Sequence, residues 1–121
     1  MEEENFSFEN LRVYQKALIF INFVYDITAK FPKVENYIII DQFRRAAISV
    51  CLNISEGYGT SKLQFKRYLN ISKGSTRECI ALTTLSRLRG YIDANQEKIL
   101  RNYCIELSKM LSGLMNSLGD S

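Results

Sequence analysis

Apolar residues in this chain return at intervals of three and four, the spacing that gathers side chains on one face of an α-helix. Val13, Ala17, Phe20, Val24, Ile27 and Phe31 form the first such stripe. It predicts a helix over about residues 10–30, begun near Glu9 or Asn10 and stopped by Phe31-Pro32, because a residue before proline avoids helical angles. Tyr14, Leu18, Ile21 and Tyr25 widen the stripe, and Ile19 and Phe23 fall among Arg12, Lys16, Asp26 and Lys30. A helix this apolar is covered on more than one side.

A second helix is expected over about residues 37–56, with Phe43, Ala47, Val50 and Ile54 as its seam. Ile38-Ile39-Ile40 imitates a strand through β-branching, but the helical seam that follows overrules it. Ile48 and Leu52 point away from that seam. Gly57-Tyr58-Gly59-Thr60 reads as a tight connection, with Gly57 suited to a left-handed C-cap. Ser61 and Gln64 make a capping-box pattern that opens a third helix to about Arg89. Its expected core face is Phe65, Tyr68, Ser72, Ser75, Cys79, Leu82 and Ser86. Asp93 or Asn95 is placed to cap the fourth helix. That helix runs over about residues 96–118, with Ile99, Leu100, Tyr103, Leu107, Met110, Leu111, Leu114 and Leu118 as its seam. The expectation is an all-α fold, a single antiparallel up-down-up-down four-helix bundle. It spans residues 1–121, with 1–8 and 119–121 flexible.

Composition changes this picture little. Apolar residues at 46% and charged residues at 24% of 121 residues suit a domain with one continuous core. The acidic start Met-Glu-Glu-Glu is unlike a signal peptide, and no apolar run approaches the roughly 18 residues of a membrane span. A cytoplasmic protein without membrane contact is the expectation. Cys51, Cys79 and Cys104 are far apart, and the chain has no histidine. The pattern predicts reduced, structural thiols, no metal site and no cofactor.

Charge is more informative. Arg44, Arg45, Lys62, Lys66, Arg67, Lys73, Arg77, Arg87 and Arg89 stand in a region whose only acids are Glu56 and Glu78. Lys62, Lys66, Lys73 and Arg77 fall within about 60° of one another on an ideal helix, and Arg87 returns to the same side. A one-sided stripe of this kind is a track for phosphate groups, with Asn70 beside it and Tyr58 near its start for base stacking. The alternative is a solvated face that serves solubility. Arg44 and Arg45 flank the core seam, where ion pairing competes with ligand contact. Asp41 stands four residues before Arg45, the spacing of a helical ion pair. No paired carboxylates, nucleophile–base set or phosphate-cradling glycine loop is present, so neither catalytic residues nor a small-molecule substrate are expected.

Several segments carry a family resemblance. Phe8-Glu9-Asn10-Leu11-Arg12-Val13-Tyr14-Gln15-Lys16-Ala17 resembles the F-E-[DN]-L-x-V-[WY]-Q-K-A opening of proteins encoded in intervening sequences of bacterial large-subunit ribosomal RNA genes. Phe31-Pro32 falls where that family has F-P. Gln42-Phe43-Arg44-Arg45-Ala46-Ala47-Ile48-Ser49 is similar to Q-[LM]-R-R-A-A-[VI]-S, and Asn53-Ile54-Ser55-Glu56-Gly57 to N-I-[AS]-E-G. Phe65 with Arg67-Tyr68-Leu69 matches F-x-[RH]-[FY]-L, and Met110-Leu111-Ser112-Gly113-Leu114 matches M-L-x-G-L. Cys51, where many members carry proline, and Ile38 to Asp41, where they are richer in glycine and serine, depart from the pattern. The resemblance implies a four-helix bundle assembled as a homopentamer. It also implies kinship with accessory proteins of diversity-generating retroelements, which bind a reverse transcriptase and nucleic acid.

Two roles follow as expectations. One is a nucleic-acid-binding accessory factor that presents Arg44, Arg45, Lys62, Lys66, Arg67, Lys73, Arg77 and Arg87 to RNA or DNA. The other is a self-assembling scaffold for a protein partner, with no nucleic-acid role. In both, Ile19, Phe23, Ile48, Leu52 and Ile105 are the apolar positions expected at a subunit interface.

Overall fold

A computed structural model describes residues 6–119. Four helices make up most of it: α1 (Arg12–Thr28), α2 (Ile39–Gly57), α3 (Lys62–Leu88) and α4 (Ala94–Ser117), with short 3₁₀ turns at Ser7–Asn10 and Lys33–Glu35. No strand occurs among the described residues. Ile38 precedes α2 and Ile39 opens it, so the isoleucine run is the mouth of a helix. The flexibility expected for residues 1–5 and 120–121 lies outside the described residues. Residues 6–8 are described: Phe6 stacks on Phe8, whose ring meets Tyr14 edge-on at 5.2 Å.

The helices share one core. Phe20, Phe43, Ile54, Leu69, Leu100, Leu107 and Leu111 are fully buried within it. Each large side chain so buried stabilises the fold by about 1.5–3 kcal/mol relative to exposure. All six residues of the first expected stripe are buried, as are Phe43, Ala47, Val50 and Ile54. Contact partners ascend on one helix as they descend on the next. Ser49 and Val50 of α2 meet Ser75 and Ser72 of α3, while Gly57 meets Tyr68. Arg87 and Thr84 of α3 meet Glu97 and Arg101 of α4. At one end, Tyr91 donates to Glu35 Oε2 at 2.6 Å and its ring lies 5.1 Å from Phe31. That contact ties the α1–α2 connection to the α3–α4 connection.

The elements differ from expectation in three places. α1 ends at Thr28, and the last turn relaxes through Ala29 to Phe31. Thr28 there donates to the Val24 carbonyl at 2.7 Å, which keeps a buried hydroxyl satisfied. Gly57 is not a left-handed cap: it closes α2 with an ordinary backbone, and Gly59, at φ +84°, makes the turn instead. Gly57 is needed for space, since a Cβ there would lie 2.7 Å from Tyr68 Cβ. The core face of α3 also includes Leu69, Thr76 and Thr83, all buried. Thr76 and Thr83 donate to carbonyls of their own helix, which removes the penalty for burying a hydroxyl.

Candidate nucleic-acid interface

α3 begins where Ser61 Oγ accepts the Gln64 backbone N–H at 3.2 Å. Its first turn holds no acidic residue. The helix then carries Lys62, Arg67 and Arg77 exposed, with Lys66 and Lys73 half-buried. A half-buried lysine lays its methylene stem along the surface and keeps its ammonium in water. None of these five has a carboxylate within ion-pairing distance among the described residues. The pairs present lie elsewhere: Lys16–Glu106, Arg45–Asp41, Arg87–Glu97 and Arg101–Glu97.

That division sorts the eight basic residues expected at the interface. Lys62, Lys66, Arg67, Lys73 and Arg77 stay together on α3. Arg87 is paired to Glu97 of α4 at 3.5 Å. Arg45 is paired to Asp41 at 2.9 Å, the local ion pair its spacing suggested. Arg44 donates from Nε to Thr28 Oγ1 at 2.9 Å, and its guanidinium sits 4.3 Å from the centre of the Tyr25 ring. It thus fastens α2 to α1. Asn70 is exposed beside the basic run. Tyr58 is committed edge-on to Phe65 at 5.8 Å and near Phe8 at 6.5 Å, with a partly open edge.

Beside the basic run, α3 and α4 leave an open groove of about 550 Å³. Arg77 borders it from α3 and Lys109 from α4, with Ile80 and Ile105 as apolar lining. Lys109 was not among the expected site residues; its place four residues after Ile105 and before Gly113 on one α4 row was the available signal. Cys104 lies beneath the groove, and it and Cys79 are both fully buried. The hydrogen bond to the Cys104 thiol and burial hold the Cys79 thiol well above its usual range. Burial also raises Cys51. No cluster of metal-ligating side chains occurs among the described residues, and no helix there is long and apolar enough to cross a membrane.

The five apolar positions expected at a subunit interface are spread over α1, α2 and α4. Ile19 and Leu52 are each 53% exposed and Ile105 is 48% exposed. Ile48 is half-buried, and Phe23 packs 5.5 Å from the Tyr103 ring, so the bundle itself already covers part of it.

Against known proteins, the chain is similar to a crystal structure from Bacteroides thetaiotaomicron VPI-5482, described as a protein with unknown function from the S23 ribosomal protein family. The two share 23% identity over 85% of this chain and 97% of the other, with a TM-score of 0.75. That likeness is one of fold. No curated protein matches the chain. The family described as 23S rRNA-intervening sequence protein matches residues 9–113, the span from the first 3₁₀ turn to the last turns of α4. The chain therefore belongs to the 23S rRNA-intervening sequence protein family.

Proposed function

We propose that this protein is a non-enzymatic, oligomeric bundle of the cytoplasm that binds nucleic acid as an accessory factor. Lys62, Lys66, Arg67, Lys73 and Arg77 of α3 are the contact residues. The observation that carries this reading is that these five cations share one helix with no carboxylate in ion-pairing distance among the described residues, whereas Arg45 and Arg87 are held in ion pairs. Free ammonium and guanidinium groups along one helix release counterions from a phosphate backbone, whereas paired ones must first lose a partner. Arg44, Arg45 and Arg87 have intramolecular work and add less. The family's description as an rRNA-intervening sequence protein accords with a nucleic-acid role, and the resemblance to retroelement accessory proteins extends it to a reverse transcriptase partner.

Assembly supports the same role. Ile19 and Leu52 leave apolar surface that a second subunit would cover, and a ring of five, as the resemblance implies, would repeat a weak basic site several times over. Avidity then raises retention without any new contact. Light scattering tests the assembly: an oligomer is expected at micromolar concentration, and Leu52→Asp should weaken it. Retention of labelled RNA and DNA across a salt series tests the binding. Affinity should fall steeply with salt, and Lys66→Glu with Lys73→Glu should flatten that slope by about 2. Retention unchanged by the double reversal would remove α3 from the interface and leave the scaffold reading.

A further inference from the structure

The groove between α3 and α4 has a chemistry of its own. On α4, Ser108, Ser112 and Asn116 follow one row of the helix, and Ile105, Lys109 and Gly113 follow the next. Their small members hold the groove open: a Cβ added at Gly113 would meet nothing within 4 Å. Arg77 and Lys109 stand on its two sides and its lining contains no carboxylate. At about 550 Å³, it falls within the roughly 300–1,000 Å³ of sites that take a small organic group.

The hydroxyls single the place out. The other serines and threonines of the four helices form hydrogen bonds within the protein. Among the described residues, Ser108 and Ser112 alone in those helices form none, and both line this groove. A helical serine usually returns its proton to a carbonyl one turn back; these two are half-buried and leave their hydroxyls open to the groove. The groove thus combines apolar walls, two cations and free groups that both donate and accept.

We propose that this groove takes one unstacked base of a single-stranded nucleic acid, with the flanking phosphates on Arg77 and Lys109. The inference rests on the nucleic-acid reading above and adds the strand class. A base in a duplex has its faces covered by neighbours and cannot lie between Ile80 and Ile105; a single strand can turn one out. Hydroxyls that donate or accept fit the edge of any base, so the site selects strandedness over sequence. Arg77 continues the run from Lys66 and Lys73, which carries the backbone toward the groove.

The test uses the full chain, fluorescence anisotropy at low salt, and two labelled probes of equal nucleotide number: an oligouridylate and an RNA hairpin duplex. The single strand should bind about tenfold more tightly, near the low end of what one base stacked on an aromatic ring contributes, because the walls here are aliphatic. Gly113→Leu fills the groove without touching a charge, so it should erase that advantage and leave duplex affinity and its salt dependence as they were. Ser108→Leu enters the groove one turn earlier and repeats the test if Gly113→Leu lowers the melting temperature. Equal binding of the two probes, unaltered by either variant, overturns the groove assignment while the nucleic-acid reading stands. No binding of either probe overturns both. A change in oligomeric mass on filling the groove assigns it to a second copy and overturns the inference too.

Discussion

Along α3, the side toward α2 closes on Gly57 and Val50, while the side toward α4 opens at Ser108, Ser112 and Gly113. Both seams are rich in small residues. On the first, Ser72 donates to the Val50 carbonyl at 2.8 Å and Ser75 meets Ser49 at 2.9 Å. The small side chains let two backbones approach, and their hydroxyls stitch the approach together. On the second, the Ser108 and Ser112 hydroxyls find no protein partner, and Gly113 faces open space where Gly57 faces the base of Tyr68. Small residues therefore have no single meaning in this bundle. Where the axes come close they are packing, and where the axes part they are vacancy beside cations.

One substitution made on both sides breaks or sharpens the comparison most. Gly57→Ala places a methyl 2.7 Å from Tyr68 Cβ and 3.0 Å from a Phe65 ring carbon. Tyr68 Cβ moves only with its backbone, so the folded state should lose about 2–3 kcal/mol, read as a lower denaturant midpoint at an unchanged slope. Ser72→Ala comes next. It removes the hydroxyl bond to Val50, at a cost of about 1 kcal/mol, by the same measurement. Gly113→Ala should go the other way. With space around it and an exposed helical site, alanine should stabilise by about 0.5–1 kcal/mol. A destabilising Gly113→Ala would mean that the α4 seam is closer than it stands here.

The smallest effect vanishes at neutral pH. Cys79, Cys51 and Tyr14 all have proton affinities raised by burial, Cys79 chiefly by its hydrogen bond to Cys104. In the unfolded chain a free thiol ionises near pH 8.5. The folded chain holds its thiol protons to higher pH, so stability is level below that point. It falls as pH rises above it, where unfolding releases protons. Denaturant midpoints measured from neutral to alkaline pH should show this decline, and Cys79→Ala should lessen it. The same burial predicts that thiol reagents label none of the three cysteines until the protein unfolds.

Much of the fold was legible because a helix returns its side chains to one face at a fixed interval. Val13 through Phe31 and Phe43 through Ile54 needed only that rule, and so did the four-helix count. The core face of α3 was only half legible. Leu69, Thr76 and Thr83 were overlooked, because threonine reads as polar until its hydroxyl is seen to bond within its own helix. The basic residues were legible as a group but not as individuals. Arg87 and Lys73 look alike in the sequence, yet one meets Glu97 and the other meets no carboxylate among the described residues.

By itself, the order of residues determined four amphipathic rods, their lengths to within a few residues, and the helix richest in basic residues. These depend on neighbours within about one turn, which the chain connects directly. Tertiary structure alone decided which cations remain free, that Gly57 is a point of contact, and that Ser108 and Ser112 line an opening. Each of those depends on the separation between two helices. That separation is set by all the side chains along both seams at once, so no local pattern records it.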